Sequence, residues 1–238
     1  GHAAAQGVTA VFLTAGGVRG ASTPLEGDRG LWLTHLGVPA PEQLFLPEAD
    51  AAWESDEVVV KPWPGCRAAH PYIDAVRALP STITEYPRET EEVVVAVDSV
   101  AADLCSPLEG RRRPRTLAEA GFSVPFMVAS ALLGGGSVSL EDMTEAALED
   151  PAVLALADRV VPDHRLLDGP GYARAEITVT HRGKVQHASG SSSPTLAPCE
   201  RADKFSACLA HGGWRHHEEE LRTAVENFAS GPARNLLD

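Results

Sequence analysis

At 238 residues the chain can hold one large domain or two small ones, and with aromatics at only 5% its core must rest on Ala, Val and Leu. Its net charge of −13 repels nucleic acid at long range, although a local group of Lys, Arg and His can still make one pocket attractive to a small anion. No stretch approaches the ~20 apolar residues that a membrane-spanning helix requires.

In chain order, Ala4, Val8, Val11, Phe12 and Ala15 recur at helical spacing until Gly16-Gly17, which predicts a first helix. The apolar run from Val8 to Ala15 has no basic residue before it and does not read as a signal peptide. No capping side chain precedes this helix, so the chain is expected to begin inside or just before an element with more upstream. A second helical patch runs from Leu31 to Leu36.

Val58-Val59-Val60 is predicted as a buried strand, Pro71 to Leu79 as a helix and Glu92 to Asp98 as a second strand. Thr116-Leu-Ala-Glu119 reads as a capping box opening a helix that runs to Leu133, bends at Pro125 and stops at Gly134-Gly135-Gly136. That helix is apolar almost all round and should be central. Ser139 is expected to start a short helix, and Asp150-Pro151 to cap another.

Ala175, Ile177, Val179 and His181 alternate along a strand, and Arg182-Gly183 turns it into a hairpin. The tail returns to helix, with Phe205, Cys208 and Leu209 on one face between Arg201 and His211. A last helix carries Leu221, Ala224, Val225 and Phe228, with Glu218 to Glu220 in its first turn. The expected class is α+β. Helical segments at residues 1–55 and 191–238 flank an inserted smaller α+β domain at 56–190, with a return linker from Ser191 to Pro198.

The stretch Lys61-Pro-Trp-Pro-Gly-Cys-Arg-Ala-Ala-His70-Pro-Tyr-Ile-Asp-Ala75 resembles the signature of the MmgE/PrpD family, which includes 2-methylcitrate dehydratase and cis-aconitate decarboxylase. Arg113-Pro114, Thr116, Glu119-Ala120 and Phe122-Ser123 resemble its second signature, and Gly1 to Gly7 and Lys204-Phe205 match further segments in the right order. The resemblance covers the second half of the family's sequence. It implies a cofactor-independent lyase, either dehydratase or decarboxylase, acting on a small carboxylic acid. An epimerase or double-bond isomerase is the alternative within catalysis, and a non-catalytic companion subunit of a split enzyme the alternative outside it. The family's N-terminal helical half would come from a second polypeptide in a homo- or hetero-oligomer.

Lys61 is the first catalytic candidate, because an ammonium at that place neutralises a substrate carboxylate and an enolate-like transition state. His70 is the second, a general acid or base at a helix start or else a cap packed under Lys61. Arg67 can hold a carboxylate in bidentate fashion, and Ser123 and Phe126 are implied as further substrate contacts. Two positions depart from the family. Phe126 stands where many members have Tyr, which argues against aconitate-type acids, and Gly121 replaces a usual basic residue.

Cys66, Cys105, Cys199 and Cys208 form no C-x-x-C pair, so no zinc site is expected and the setting reads as reduced and cytoplasmic. Arg111, Arg112, Arg113 and Arg115 lack interleaved aromatics and read as a solvated loop rather than a nucleic-acid patch. His216-His217 with the following Glu residues reads as surface charge. Neither metal nor cofactor is called for.

Overall fold

The computed structural model describes residues 1–41, 58–165, 174–191 and 196–230, with side chains up to residue 227. The chain divides into two compact units, Gly1–Val58 and Val59–Asp238. The expected boundary at residues 55 and 56 lies outside the described residues, as does the middle of the return linker.

In the first unit, α1 (His2–Ala15) is the predicted helix, and none of its residues is buried. Phe12 is 73% exposed. A wide helical turn at Trp32–Leu36 closes on Gly37, whose φ of 69° suits glycine.

The second unit opens with a difference from the sequence reading. Val58 to Val60 form no strand, and Val58 and Val60 are exposed. A β-branched run favours extended backbone, but Pro62 and Pro64 just after it have no N–H for a ladder. Helix α2 (His70–Arg77) follows, then α3 (Ser81–Glu85) and strand β1 (Thr90–Ala96). Asp98 caps α4 (Ser99–Asp103), and α5 spans Leu108–Arg112.

The long central helix expected from Thr116 is two helices. Thr116 caps α6 (Leu117–Gly121) by accepting from the Glu119 N–H at 3.2 Å, but the Glu119 carboxylate takes the Arg115 N–H at 2.7 Å, so the reciprocal half of the box is missing. Ser123 then caps α7 (Val124–Leu133) by accepting the Phe126 N–H at 3.0 Å. Pro125 therefore sits in a first turn, where its missing N–H costs no helical bond, and it bends nothing. Val124 through Leu132 are all buried, as the apolar composition requires.

Ser139 starts no helix either. Its N–H and hydroxyl both bond Asp142 at 2.7 Å in a turn, and Thr144 caps α8 (Glu145–Leu148). Asp150 caps α9 (Pro151–Ala157) as predicted. Strands β2 (Val160–Asp163), β3 (Arg174–His181) and β4 (Lys184–Ser191) complete a four-stranded sheet in the order β2-β1-β3-β4.

β1 runs parallel to β2 and antiparallel to β3, and β3 and β4 form the predicted hairpin with positive φ at both Arg182 and Gly183. Ala175, Ile177, Val179 and His181 are the buried face of β3. Helix α2 lies across β3 and β4 and against α7. The approach is so close that a Cβ on Gly190 would meet the Asp74 side chain at 2.9 Å and α2 backbone nearer still. The result is a mixed α+β unit whose core lies between the sheet, α2 and α7. It ends in α10 (Pro198–His211) and α11 (Glu218–Ser230), the two amphipathic helices of the tail.

Candidate active site

The site is built around the turn that leads from Lys61 into α2. Gly65 has φ +102°, a region open to glycine, and a Cβ there would stand 2.9 Å from the Gly121 carbonyl oxygen. A Cβ on Gly121 would in turn lie 3.3 Å from Gly65 Cα, so the two glycines pack against each other. This gives a physical reason for the small residue at Gly121. The Cys66 N–H donates to the Gly121 carbonyl at 2.7 Å, and the Lys61 ammonium donates to the Gly65 carbonyl at 2.9 Å, closing the turn. A short 3₁₀ turn, Arg67–Ala69, then delivers His70 as the first residue of α2.

His70 is 1% exposed, and apart from the Trp63 backbone no group among the described residues comes within hydrogen-bonding reach of its ring nitrogens. It is not a cap. Its ring meets that of Trp63 edge to face, with centroids 5.5 Å apart, and the Arg77 guanidinium lies 5.8 Å from the Trp63 ring centroid. Burial, and then the positive charges of Lys61, Arg67 and Lys204, lower the His70 pKa to about 4, against a smaller opposing pull from a hydrogen bond to the Trp63 backbone. The imidazole is therefore neutral at neutral pH, with an unused proton acceptor inside a ring of cations. Three cations gather at His70 in a chain of net charge −13, while the adjoining cavity is also lined by Glu141, Glu200 and Asp203.

Lys204 was not singled out as a site residue by the sequence reading. It reaches the site from the middle of α10, where its ammonium donates to the Lys61 backbone carbonyl. The only sequence signal was the Lys204-Phe205 pair, which said where α10 belongs but not what Lys204 touches. Trp63 and Lys204 also border a cavity of about 580 Å³ that Pro64, Arg77, Leu140 and Glu200 help to line. Burial holds the Asp74 carboxyl on α2 above its ordinary range.

Lys61, Arg67 and His70 are thus brought together, whereas Ser123 and Phe126 are not part of this group. The Ser123 hydroxyl is taken up by capping α7 and by donating to the Arg111 carbonyl, and it is buried. Phe126 is 0% exposed in the hydrophobic core. Neither side chain is placed to contact a substrate, because each is occupied by packing or capping. With that goes the ground for setting aside aconitate-type acids, since a Tyr at 126 would also point into the core.

The arginine run is not a solvated loop. Arg111 donates to the carbonyls of Ser106 and Phe122 at 3.0 and 2.9 Å, Arg112 to that of Val160 at 2.6 Å, and Arg113 pairs with Asp158 at 2.6 Å. These bonds tie α5 to its neighbours. His217 pairs with Glu220 at 2.9 Å. Among the described residues no three His, Cys, Asp or Glu side chains converge as metal ligands, and no helix is long and apolar enough to cross a membrane.

Residues 63–230 match the family model of the MmgE/PrpD C-terminal domain, which leaves Lys61 two positions before the match and places Arg67, His70 and Lys204 within it. No curated protein matches the chain.

Proposed function

The chain belongs to the MmgE/PrpD family and carries its C-terminal domain, and from that premise we propose that it forms part of a cofactor-independent lyase, a dehydratase or decarboxylase of a small carboxylic acid. The observation that carries this reading is the buried, neutral His70 set among Lys61, Arg67 and Lys204. Lys61 and Arg67 hold a substrate carboxylate, and their charges stabilise the enolate-like state that forms when the neighbouring carbon loses a proton. A His70 ring nitrogen takes that proton. In dehydration the electron pair left behind forms the double bond as the hydroxyl leaves, and the proton that His70 has taken passes to it, so that water departs and the ring returns to neutral.

Substrate charge completes the logic. A bound anion offsets the three cations that depress His70, so the ring becomes more basic when there is a proton to take. His70 lies beneath the Trp63 ring, and contact with substrate requires that side chain to swing aside while the Lys61 backbone stays in place. That burial also favours a second reading, in which His70 is a core residue and Lys61 and Arg67 alone hold the carboxylate. An epimerase or double-bond isomerase shares the same first step. A companion subunit without chemistry would tolerate the loss of Lys61.

The proposal includes the family's N-terminal helical part, whether covalently joined or a separate polypeptide, as what completes the site. It also includes a cytoplasmic setting, supported by four free cysteines. The test is turnover of a panel of citrate-like, aconitate-like and shorter hydroxy acids by the completed enzyme, followed by proton NMR. Lys61→Ala should lower it by at least ~10²-fold, the scale of losing a transition-state charge partner. Unchanged turnover would remove Lys61 from the chemistry and leave the companion-subunit reading.

A further inference from the structure

The Lys61 turn is held from two directions. From the core side, Gly121 accepts the Cys66 N–H at 2.7 Å, which fixes the end of the turn nearest α2. Lys61 stands at the other end, in the stretch 58–64 that has no helix or strand of its own. Its side chain bonds within the turn, to Gly65 at 2.9 Å, and so cannot anchor the turn to anything else. Trp63 packs on His70 midway along the turn, and among the described residues the hydrogen bond that reaches Lys61 itself from another element is that of the Lys204 ammonium on the Lys61 carbonyl. Lys204 sits on α10, a helix of 14 residues with none buried, so this bond counts for more there than it would inside a packed interface.

Resting on the reading above, we propose that Lys204 is a positioning residue of the site. It fixes the Lys61 turn over His70 through the Lys61 carbonyl, so that seating α10 completes the group of cations. Lys204 does not touch substrate in this scheme. It sets where the Lys61 ammonium stands, and a displacement of about 1 Å at a catalytic group can cost ~10²-fold in rate. The long apolar stem along the cavity wall allows the ammonium to reach the carbonyl from a helix that is otherwise half in solvent.

The experiment compares the wild type with Lys204→Met, which keeps the stem and loses the donor, and Lys204→Arg, which restores a cationic donor. Amide hydrogen exchange is read over residues 61–69, with α7 and β1 as internal references. In Lys204→Met, exchange over 61–69 should rise about tenfold with α7 and β1 unchanged, and Lys204→Arg should bring it back towards wild type. In the completed enzyme, kcat should fall with Lys204→Met, and the loss should vanish when Lys61→Ala is already present, because both act through one ammonium. Unchanged exchange overturns the proposal. So does a loss of turnover that adds to that of Lys61→Ala, since it would mean that Lys204 acts on substrate directly. Faster exchange in an enzyme indifferent to Lys61→Ala sinks the catalytic reading while supporting the hold of Lys204 on the turn.

Discussion

Helices α7 and α10 show two ways of attaching a helix to the same unit. Every residue of α7 from Val124 to Leu132 is buried, and its N-terminus is closed by Ser123. Helix α10 is longer and has no buried residue; Ala202, Lys204, Phe205, Ser206 and Leu209 are half-buried at best. One helix is held by packing over its whole surface, the other along one stripe and by a polar bond to the Lys61 turn. The candidate site lies where the first kind of attachment gives way to the second. Gly121, just before α7, fixes one end of the turn, and Lys204 on α10 fixes the other. A rigid support and an adjustable one meet at the place where charges must be set and a substrate admitted.

The comparison is broken most directly in the core. Phe126→Ala removes a ring with 0% exposure and should cost about 3–5 kcal/mol of stability, measured as the shift of a urea unfolding midpoint. A loss below about 1 kcal/mol would mean that α7 is packed no more tightly than α10.

The next effect is a pH dependence. His70 has a folded-state pKa of about 4 against 6.5 in the unfolded chain, so between these values the unfolded state binds the extra proton. The neutral ring therefore stabilises the fold fully above pH 6.5, and this contribution is lost as pH falls from 6.5 to 4, on the order of 3 kcal/mol in all. The difference in unfolding free energy between wild type and His70→Asn, followed across that window, isolates the group from the many carboxylates. A difference that stays flat with pH would show that the ring is not shielded as its surroundings require.

Much of the scaffold behind these effects was legible in local sequence. The β3–β4 hairpin followed from alternation and Arg182-Gly183, and the α9 start from Asp150-Pro151, because each is decided within a few residues. The break between α6 and α7 was missed because Phe122-Ser123 sits in an apolar run, where periodicity stays high across a cap. Val58 to Val60 look like a strand in sequence and form none, because β-branching signals extended backbone whether or not a partner strand exists. Of the site, Lys61, Arg67 and His70 were legible because they share one turn. Lys204 was not, since its bond to Lys61 spans 143 positions and no local pattern records it. The neutral state of His70 was not legible either, because its main causes are burial and three cations that only the fold assembles.

A finer probe of the core is Phe126→Tyr. The ring space is closed, so the added hydroxyl would be buried without an assigned partner at a cost of about 1–3 kcal/mol. Turnover should not rise, because the hydroxyl does not reach the Lys61 group. A variant as stable as wild type and faster on aconitate-like acids would return position 126 to the site.

The smallest effect is expected on α10 itself. Phe205 is half-buried beneath Arg222 of α11, whose guanidinium carbon lies 5.3 Å from the ring centroid. Arg222 also pairs with Glu218 at 2.9 Å, and Glu218 accepts from Ser206 on α10, so these side chains fasten α10 to α11 rather than to the sheet. An exposed cation–π contact contributes about 0.5–1 kcal/mol, and the remaining half-burial adds less than a core ring would. Phe205→Ala should therefore lower global stability by about 1 kcal/mol or less, several-fold below Phe126→Ala. Its main consequence should be local. Amide exchange should quicken in α10 and α11, with the amides of β1 unmoved, because opening the pair leaves the sheet core intact. If Phe205→Ala instead cost as much as Phe126→Ala and quickened exchange in β1, α10 would be core in the same sense as α7, and Lys204 would be one contact among many rather than the hold on the Lys61 turn.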